Sequence, residues 1–243
     1  MRVVSWNIRL GLKVDRAIHA LTTNPDLVGA DLILLQEMDD DGPIEIAEAL
    51  GLQSAYEAGC MVKGTDRPFG NAILARGNVG EAQAVGLPYP GRFLGLRSRV
   101  AVQSAVTVEP LDGDGPHDLM VWSVHAEIPT LPHRLQVAQY REVAETVAAS
   151  GHPRSIVGGD FNTASKRSIR GLVSSMERAG MARVLPAGQK RFAGSVAFSN
   201  SIISLLRASP SSILGTAEIT MRAIMTRFGH CLSRSTHNAP RFR

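Results

Sequence analysis

Short apolar runs alternate along this chain with stretches whose apolar positions fall three and four residues apart. Arg2–Ile8 is a first strand. Val14, Ala17, Ile18 and Leu21 repeat at helical spacing, so a short helix follows. Asp31-Leu-Ile-Leu-Leu-Gln36 is a short apolar run that turns polar at its end, as a buried strand does. Pro43–Leu50 predicts a helix with proline near its start. Gly70–Ala75, Arg99–Glu109 and Leu119–His125 predict strands, the second rich in β-branched residues. Asp112-Gly-Asp-Gly-Pro116 marks a turn that makes a hairpin of the last two. Val137, Tyr140, Ala144 and Val147 suit one helix face, and Ile169, Leu172, Val173 and Met176 another, with the buried strand Ser155–Gly158 between them. Neighbouring strands with a hairpin, mixed with helices, imply a layered α/β domain rather than a strictly parallel sheet.

Polar, metal-capable side chains recur where these strands end. Asn7 ends the first strand, Glu37 follows Leu34-Leu35-Gln36, and His125 ends Val121-Trp-Ser-Val-His125. Asp160 and Asn162 follow an apolar strand within Gly158-Gly-Asp-Phe-Asn162. A strand end is where a buried sheet delivers side chains to a solvent-facing cleft. Carboxylates and carboxamides there suit Mg²⁺, which wants oxygen ligands, keeps several waters, and needs only one or two carboxylates. Asp160 and Asn162, two apart on an extended chain, are expected to point the same way. Taken singly, each position has an ordinary reading: Asn7 as a turn former, Glu37 as part of the solvated acidic loop Glu37-Met-Asp-Asp-Asp41, His125 as a structural histidine.

Taken in order, the segments Ser5-Trp6-Asn7-Ile8, Leu35-Gln36-Glu37, Gly70-Asn71-Ala72-Ile73-Leu74, the strand to His125, and Gly159-Asp160-Phe161-Asn162 resemble the endonuclease/exonuclease/phosphatase superfamily, the DNase I-like fold group. The resemblance spans residues 1 to about 198 of one domain covering 1–243, with 199–243 as an atypical tail. It implies a four-layer α/β sandwich: two mixed, mostly antiparallel β-sheets packed face to face and flanked by helices. It also implies phosphoester hydrolysis with Mg²⁺ or Mn²⁺. Position by position, Glu37 resembles the main metal ligand and Asn7 the first-strand Asn beside metal and phosphate. Asp160 resembles the carboxylate that orients or deprotonates the attacking water, and Asn162 the amide that holds the phosphate. His125 resembles the site histidine, acting by hydrogen bonding or as an acid, and Asn71 a supporting Asn.

The pattern breaks near the C-terminus. The family normally continues with a Leu-Asp-His-Ile-Phe-like strand and a terminal Ser-Asp-His. No Asp-His pair occurs after residue 198, and the nearest match is Ser235-Thr236-His237, with Thr in the place of Asp. His237 is therefore the candidate terminal catalytic histidine, without its orienting carboxylate. One permitted codon set for Ser201-Ile-Ile-Ser-Leu-Leu206, read one base out of register, encodes Asp-His-Ile-Phe-Ala. The tail is accordingly expected to be out of the ancestral frame, with the final core strands missing and a sheet edge left bare. Met221, Ile224, Met225 and Phe228 offer one helical stripe within it.

Composition supports that division. The chain has 243 residues and a formal net charge of +4, yet all the basic excess lies in the tail, which holds six Arg and one acidic residue, Glu218. The motif-bearing part is slightly acidic, unlike a protein built around a nucleic-acid backbone. At 5% aromatic residues, a stacking platform for single strands is not expected. Arg92, Arg97 and Arg99 form a local cluster with two readings, a face toward a phosphate or strand-edge solvation, the second being the commoner. Nucleic acid, phospholipid head group and inositol phosphate all remain open as the phosphoester, and no obligate protein partner is evident. Cys60 and Cys231 make no disulfide framework. No apolar run reaches the ~18 residues of a membrane span, and no leader precedes the first strand, so a cytoplasmic protein is expected. Two readings compete with the hydrolase: a non-catalytic metal- or phosphate-binding remnant, and a binder acting through the basic tail.

Overall fold

Almost every central strand is apolar on both faces, because each sheet is covered on both sides. A computed structural model describes residues 1–62, 65–89, 99–113, 115–127, 132–163, 165–184, 204–207 and 220–223. One sheet contains β1 (Arg2–Asn7), β2 (Leu32–Met38), β3 (Gln53–Met61), β4 (Pro68–Ala75) and β12 (Thr220–Ala223), in the order β12-β1-β2-β4-β3. The other contains β5 (Gly77–Val79), β6 (Gln83–Gly86), β7 (Val100–Val108), β8 (His117–His125), β9 (Ser155–Asp160), β10 (Ala182–Val184) and β11 (Ser204–Arg207). Its order is β10-β11-β9-β8-β7-β5, with β6 also paired to β7. The helices are α1 (Val14–Thr23), α2 (Gly42–Leu50), α3 (His133–Ala149) and α4 (Lys166–Arg178).

The period-2 alternation of the strands divides the core into three apolar layers. Val3, Leu32, Leu34 and Ile73 face Val100, Val102, Leu119, Val121 and Ile156 between the sheets. Their sequence neighbours Val4, Ile33, Leu35 and Leu74 face outward onto Ala17, Leu21, Ile46 and Ala47 of α1 and α2. On the far side, Ala101, Trp122, Val124 and Val157 pack on Tyr140, Val143, Val147, Leu172 and Met176 of α3 and α4. The four-layer sandwich is thus the one implied by the motif order. The start of α4 is fixed by a reciprocal capping box between Ser165 and Ser168.

Two expectations are corrected. Thr220–Ala223 is a strand, parallel to β1, rather than part of a helix stripe through Met221. The sheet edges near the tail are likewise not bare, since β11 lies antiparallel to β9 and β12 lies along β1. Pairing with an exposed strand outweighs weak local helical periodicity. Ile224, Met225, Phe228 and the Ser235-Thr236-His237 segment lie outside the described residues. The strand β3 has no clear signal in the sequence: Gln-Ser-Ala-Tyr-Glu-Ala-Gly-Cys-Met lacks β-branched residues and is only half-buried.

Candidate active site

The parallel pairs β1/β2 and β8/β9 end at the same edge of the sandwich, with Asn7 opposite Gln36 and His125 opposite Asp160. Side-chain alternation turns Asn7, His125 and Asp160 inward, in phase with Val3, Val121 and Ile156 of the inter-sheet layer. Glu37 has the opposite parity and would face the helices on a regular strand. A register shift between Gln36 and Met38 relative to β4, with φ of +60° at Glu37, redirects it. Glu37 is therefore part of β2, at a bulge, rather than a member of the acidic loop. A non-glycine residue at positive φ costs roughly 1–2 kcal/mol and persists only where its surroundings hold it.

Four predicted residues meet here. The Asn7 amide donates from one Nδ2 to Glu37 Oε1 at 3.1 Å and to Asp160 Oδ2 at 3.0 Å. Its Oδ1 accepts the Arg9 backbone N–H at 2.9 Å. His125 Nε2 lies 3.6 Å from Glu37 Oε1, and the His125 ring packs near Phe69 with centroids 6.1 Å apart. Asn162 is adjacent but not parallel to Asp160 as expected from an extended chain. It sits at φ +50°, its backbone N–H donates to Asp160 Oδ1 at 3.0 Å, and its Nδ2 donates to Ala126 O at 2.8 Å. This Asx-type turn ends β9 and reverses the parity argument. Asn71 lies behind the cluster. Its Nδ2 donates to Val100 O and Ser123 O, both at 2.9 Å, and so ties β4 to the opposite sheet. Gln36 does the same through Ser123 Oγ at 3.1 Å. His237, Arg92 and Arg97 lie outside the described residues.

Sequence reasoning missed Glu127 and favoured strand-edge solvation for Arg99. Arg99 is buried rather than a solvated strand edge. Its Nη1 lies 2.7 Å from His125 Nε2 and 3.0 Å from Nδ1, and its Nε lies 3.6 Å from Glu127 Oε1. The available signal was positional: Arg99 directly precedes β7, the strand paired with β8, and Glu127 stands two residues beyond His125.

Burial, with the Arg99 cation adding to it, holds His125 well below the usual histidine range. The ring is neutral at pH 7 and suits the hydrogen-bonding role rather than the acid. Burial raises Asp160 to about 6; Glu37 adds to the rise, while the Asn7 amide, the Asn162 N–H and Arg99 oppose it. Two carboxylates thus share one neutral amide in a buried setting. This donor set fits a hard divalent cation, whose charge would relieve that crowding and which completes its shell with water. Among the described residues no group of three or more His, Cys, Asp or Glu is placed to hold a metal ion, so a cation here would rest on fewer protein ligands and on water.

The family model of the Endonuclease/Exonuclease/phosphatase family matches residues 4–174. The chain belongs to this family. Solved structures share its DNase I-like fold. They include D. rerio TDP2 complexed with a single-strand DNA product, at 16% identity, TM-score 0.57, over 86% of this chain and 84% of that one. A mannosyl-6-phosphatase of Bacteroides thetaiotaomicron is 17% identical, TM-score 0.56, over 86% and 85%. The human Nocturnin catalytic domain with bound sulfate is 18% identical, TM-score 0.58, over 84% and 80%. No curated protein matches the chain by sequence search.

Proposed function

We propose that this family member hydrolyses a phosphoester by divalent-cation-assisted attack of water at the Asn7/Glu37/His125/Asp160 cluster. The observation that carries the reading is the convergence of the Glu37 and Asp160 carboxylates on one Asn7 amide, 3.1 and 3.0 Å away. Glu37, with Asn7 beside it, would hold Mg²⁺ or Mn²⁺. When bound, the cation polarises a phosphoryl oxygen as a Lewis acid. Asp160, ionised above about pH 6, orients and accepts a proton from the attacking water. Neutral His125 offers a hydrogen bond to a phosphate oxygen. Asn162, held by Ala126 O, keeps the Asp160 carboxylate in place through its backbone N–H.

The fold relatives named above act on or hold quite different molecules, a DNA product, a sugar phosphate and sulfate, so the fold leaves the leaving group open. The full chain should be assayed on bis(4-nitrophenyl) phosphate and 4-nitrophenyl phosphate with Mg²⁺, with Mn²⁺ and with EDTA. Cation-dependent turnover of either supports the reading. Cation binding without turnover of any phosphoester favours instead a non-catalytic remnant, a reading that Thr236, where the family has Asp before its histidine, also supports.

A further inference from the structure

Directly after Asn7 the backbone does something rare. Arg9, Leu10 and Gly11 have φ of +55°, +63° and +60°, three consecutive residues on the left-handed side. Single residues visit this region; runs of them require outside support. That support comes from both sides. Asn7 Oδ1 accepts the Arg9 N–H at 2.9 Å. On the other side Gly11 is buried against an ion pair: a Cβ there would lie 3.1 Å from both Arg67 Nη2 and the Asp39 carboxylate. Arg67 Nε donates to Asp39 Oδ2 at 3.0 Å, and Asp39 Oδ1 accepts the Gly42 N–H at 3.0 Å, which anchors the pair to the start of α2. The turn is thus hydrogen-bonded to β1 and lies close against the Arg67–Asp39 pair, which itself joins the β3–β4 connection to the start of α2.

What this turn presents is Arg9. Its side chain is exposed and pairs with no acid among the described residues. Its backbone nitrogen is bonded to the same Asn7 whose amide touches both carboxylates. A strained segment held this firmly beside a reactive cluster points to positioning of the group it carries. Arg99, the buried cation of the site, is already engaged with His125 and Glu127.

We infer that Arg9 is a specificity-determining residue of this site, whose guanidinium takes up the extra negative charge of a dianionic phosphoryl group. The inference rests on the phosphoesterase reading and narrows it toward phosphomonoesters. A guanidinium fork matches two phosphate oxygens, and a monoester offers one more charged oxygen than a diester. The left-handed turn fixes where the Arg9 side chain starts, which lowers the cost of ordering it on the substrate.

Three variants separate charge from backbone. Arg9→Ala removes the guanidinium, Arg9→Lys keeps a charge without the fork, and Arg9→Gly removes the guanidinium while relieving the positive-φ strain. With the full chain and Mn²⁺, Arg9→Ala and Arg9→Gly should both raise KM for 4-nitrophenyl phosphate about tenfold, the loss of one charge-assisted hydrogen bond at a partly exposed site. They should change KM for bis(4-nitrophenyl) phosphate much less, act on KM more than on kcat, and Arg9→Lys should recover part of the loss. Inorganic phosphate, read by its protection against thermal unfolding, provides a test independent of turnover: its apparent affinity should fall in step with the monoester KM. If no phosphoester is turned over, the hydrolase reading fails while the phosphate titration still decides the role of Arg9. The inference is overturned if Arg9→Ala and Arg9→Gly leave phosphate affinity at the parent value. It is overturned equally if Arg9→Ala weakens phosphate binding while Arg9→Gly does not, since the turn and not the charge would then matter.

Discussion

Replacing Asp160 by Asn should stabilise the cation-free protein, and the gain should grow with pH. Asp160 is 1% exposed, so its charge is carried almost without water. Burial, with Glu37 adding to it, lifts its pKa from 3.8 to about 6 even though Asn7, Asn162 and Arg99 pull the other way. A carboxyl raised on folding favours its protonated form in the native state. Ionising it therefore costs stability. That cost is absent well below the unfolded value, develops as pH rises through the interval, and is complete above the folded one. At about 1.36 kcal/mol per pKa unit, the cost is roughly 3 kcal/mol at pH 8 and roughly 1.6 kcal/mol at pH 5. Asp160→Asn removes it. The new amide must share Asn7 Nδ2 differently, but that rearrangement is independent of pH and cancels between the two conditions. Urea unfolding in EDTA should show the variant's advantage over the parent growing by about 1.4 kcal/mol from pH 5 to pH 8. Saturating Mg²⁺ should shrink the difference, because the cation supplies the missing charge. An advantage that is equal at both pH values, or larger at pH 5, refutes the electrostatic account of this cluster.

Three further outcomes follow from the geometry. Gly159 has φ of +147° and a Cβ there would lie 2.0 Å from Val124 O, so Gly159→Ala must push β9 off β8; a loss of about 3 kcal/mol or more is expected from urea unfolding, together with loss of activity. Arg99→Met removes the cation that adds to burial in holding the His125 pKa down, so the imidazole should titrate at higher pH than in the parent, while still below the ordinary histidine range, read from its ring proton shifts by NMR. Asn71→Ala abandons hydrogen bonds to Val100 O and Ser123 O inside the sandwich and should cost roughly 2–4 kcal/mol, again by denaturant unfolding.

Much of the site was legible because polar side chains stand where apolar strands end, in the order of the family's motifs, and strict strand alternation explains why those ends converge. Asn7, His125 and Asp160 occupy inward parities at strand ends, and their spacing from Val3, Val121 and Ile156 can be counted on the chain. The apolar pattern alone gave a layered α/β domain, and the four layers came with the resemblance of the ordered motifs to the family. What could not be counted was the departure from regularity. The bulge that turns Glu37 into the site leaves no composition signal, and the positive φ at Asn162 hides behind a residue that also serves extended chain. Arg99 looked like a surface cation because its burial depends on the distant strand β8. The strand β3 was silent because it is half-buried and held by β4, not by its own propensity. Met221 followed the edge of β1 instead of its local period.

The central claim is that Glu37, redirected by its bulge, holds the cation on which phosphoester hydrolysis depends. It is tested most directly by comparing the parent chain with Glu37→Gln on 4-nitrophenyl phosphate and bis(4-nitrophenyl) phosphate across a Mn²⁺ titration, after matching the two proteins for folded fraction. The account predicts turnover that appears with Mn²⁺, disappears with EDTA, and falls by about 10²-fold or more in the variant. Turnover that persists in EDTA, or that survives in Glu37→Gln at the parent's Mn²⁺ dependence, would contradict it.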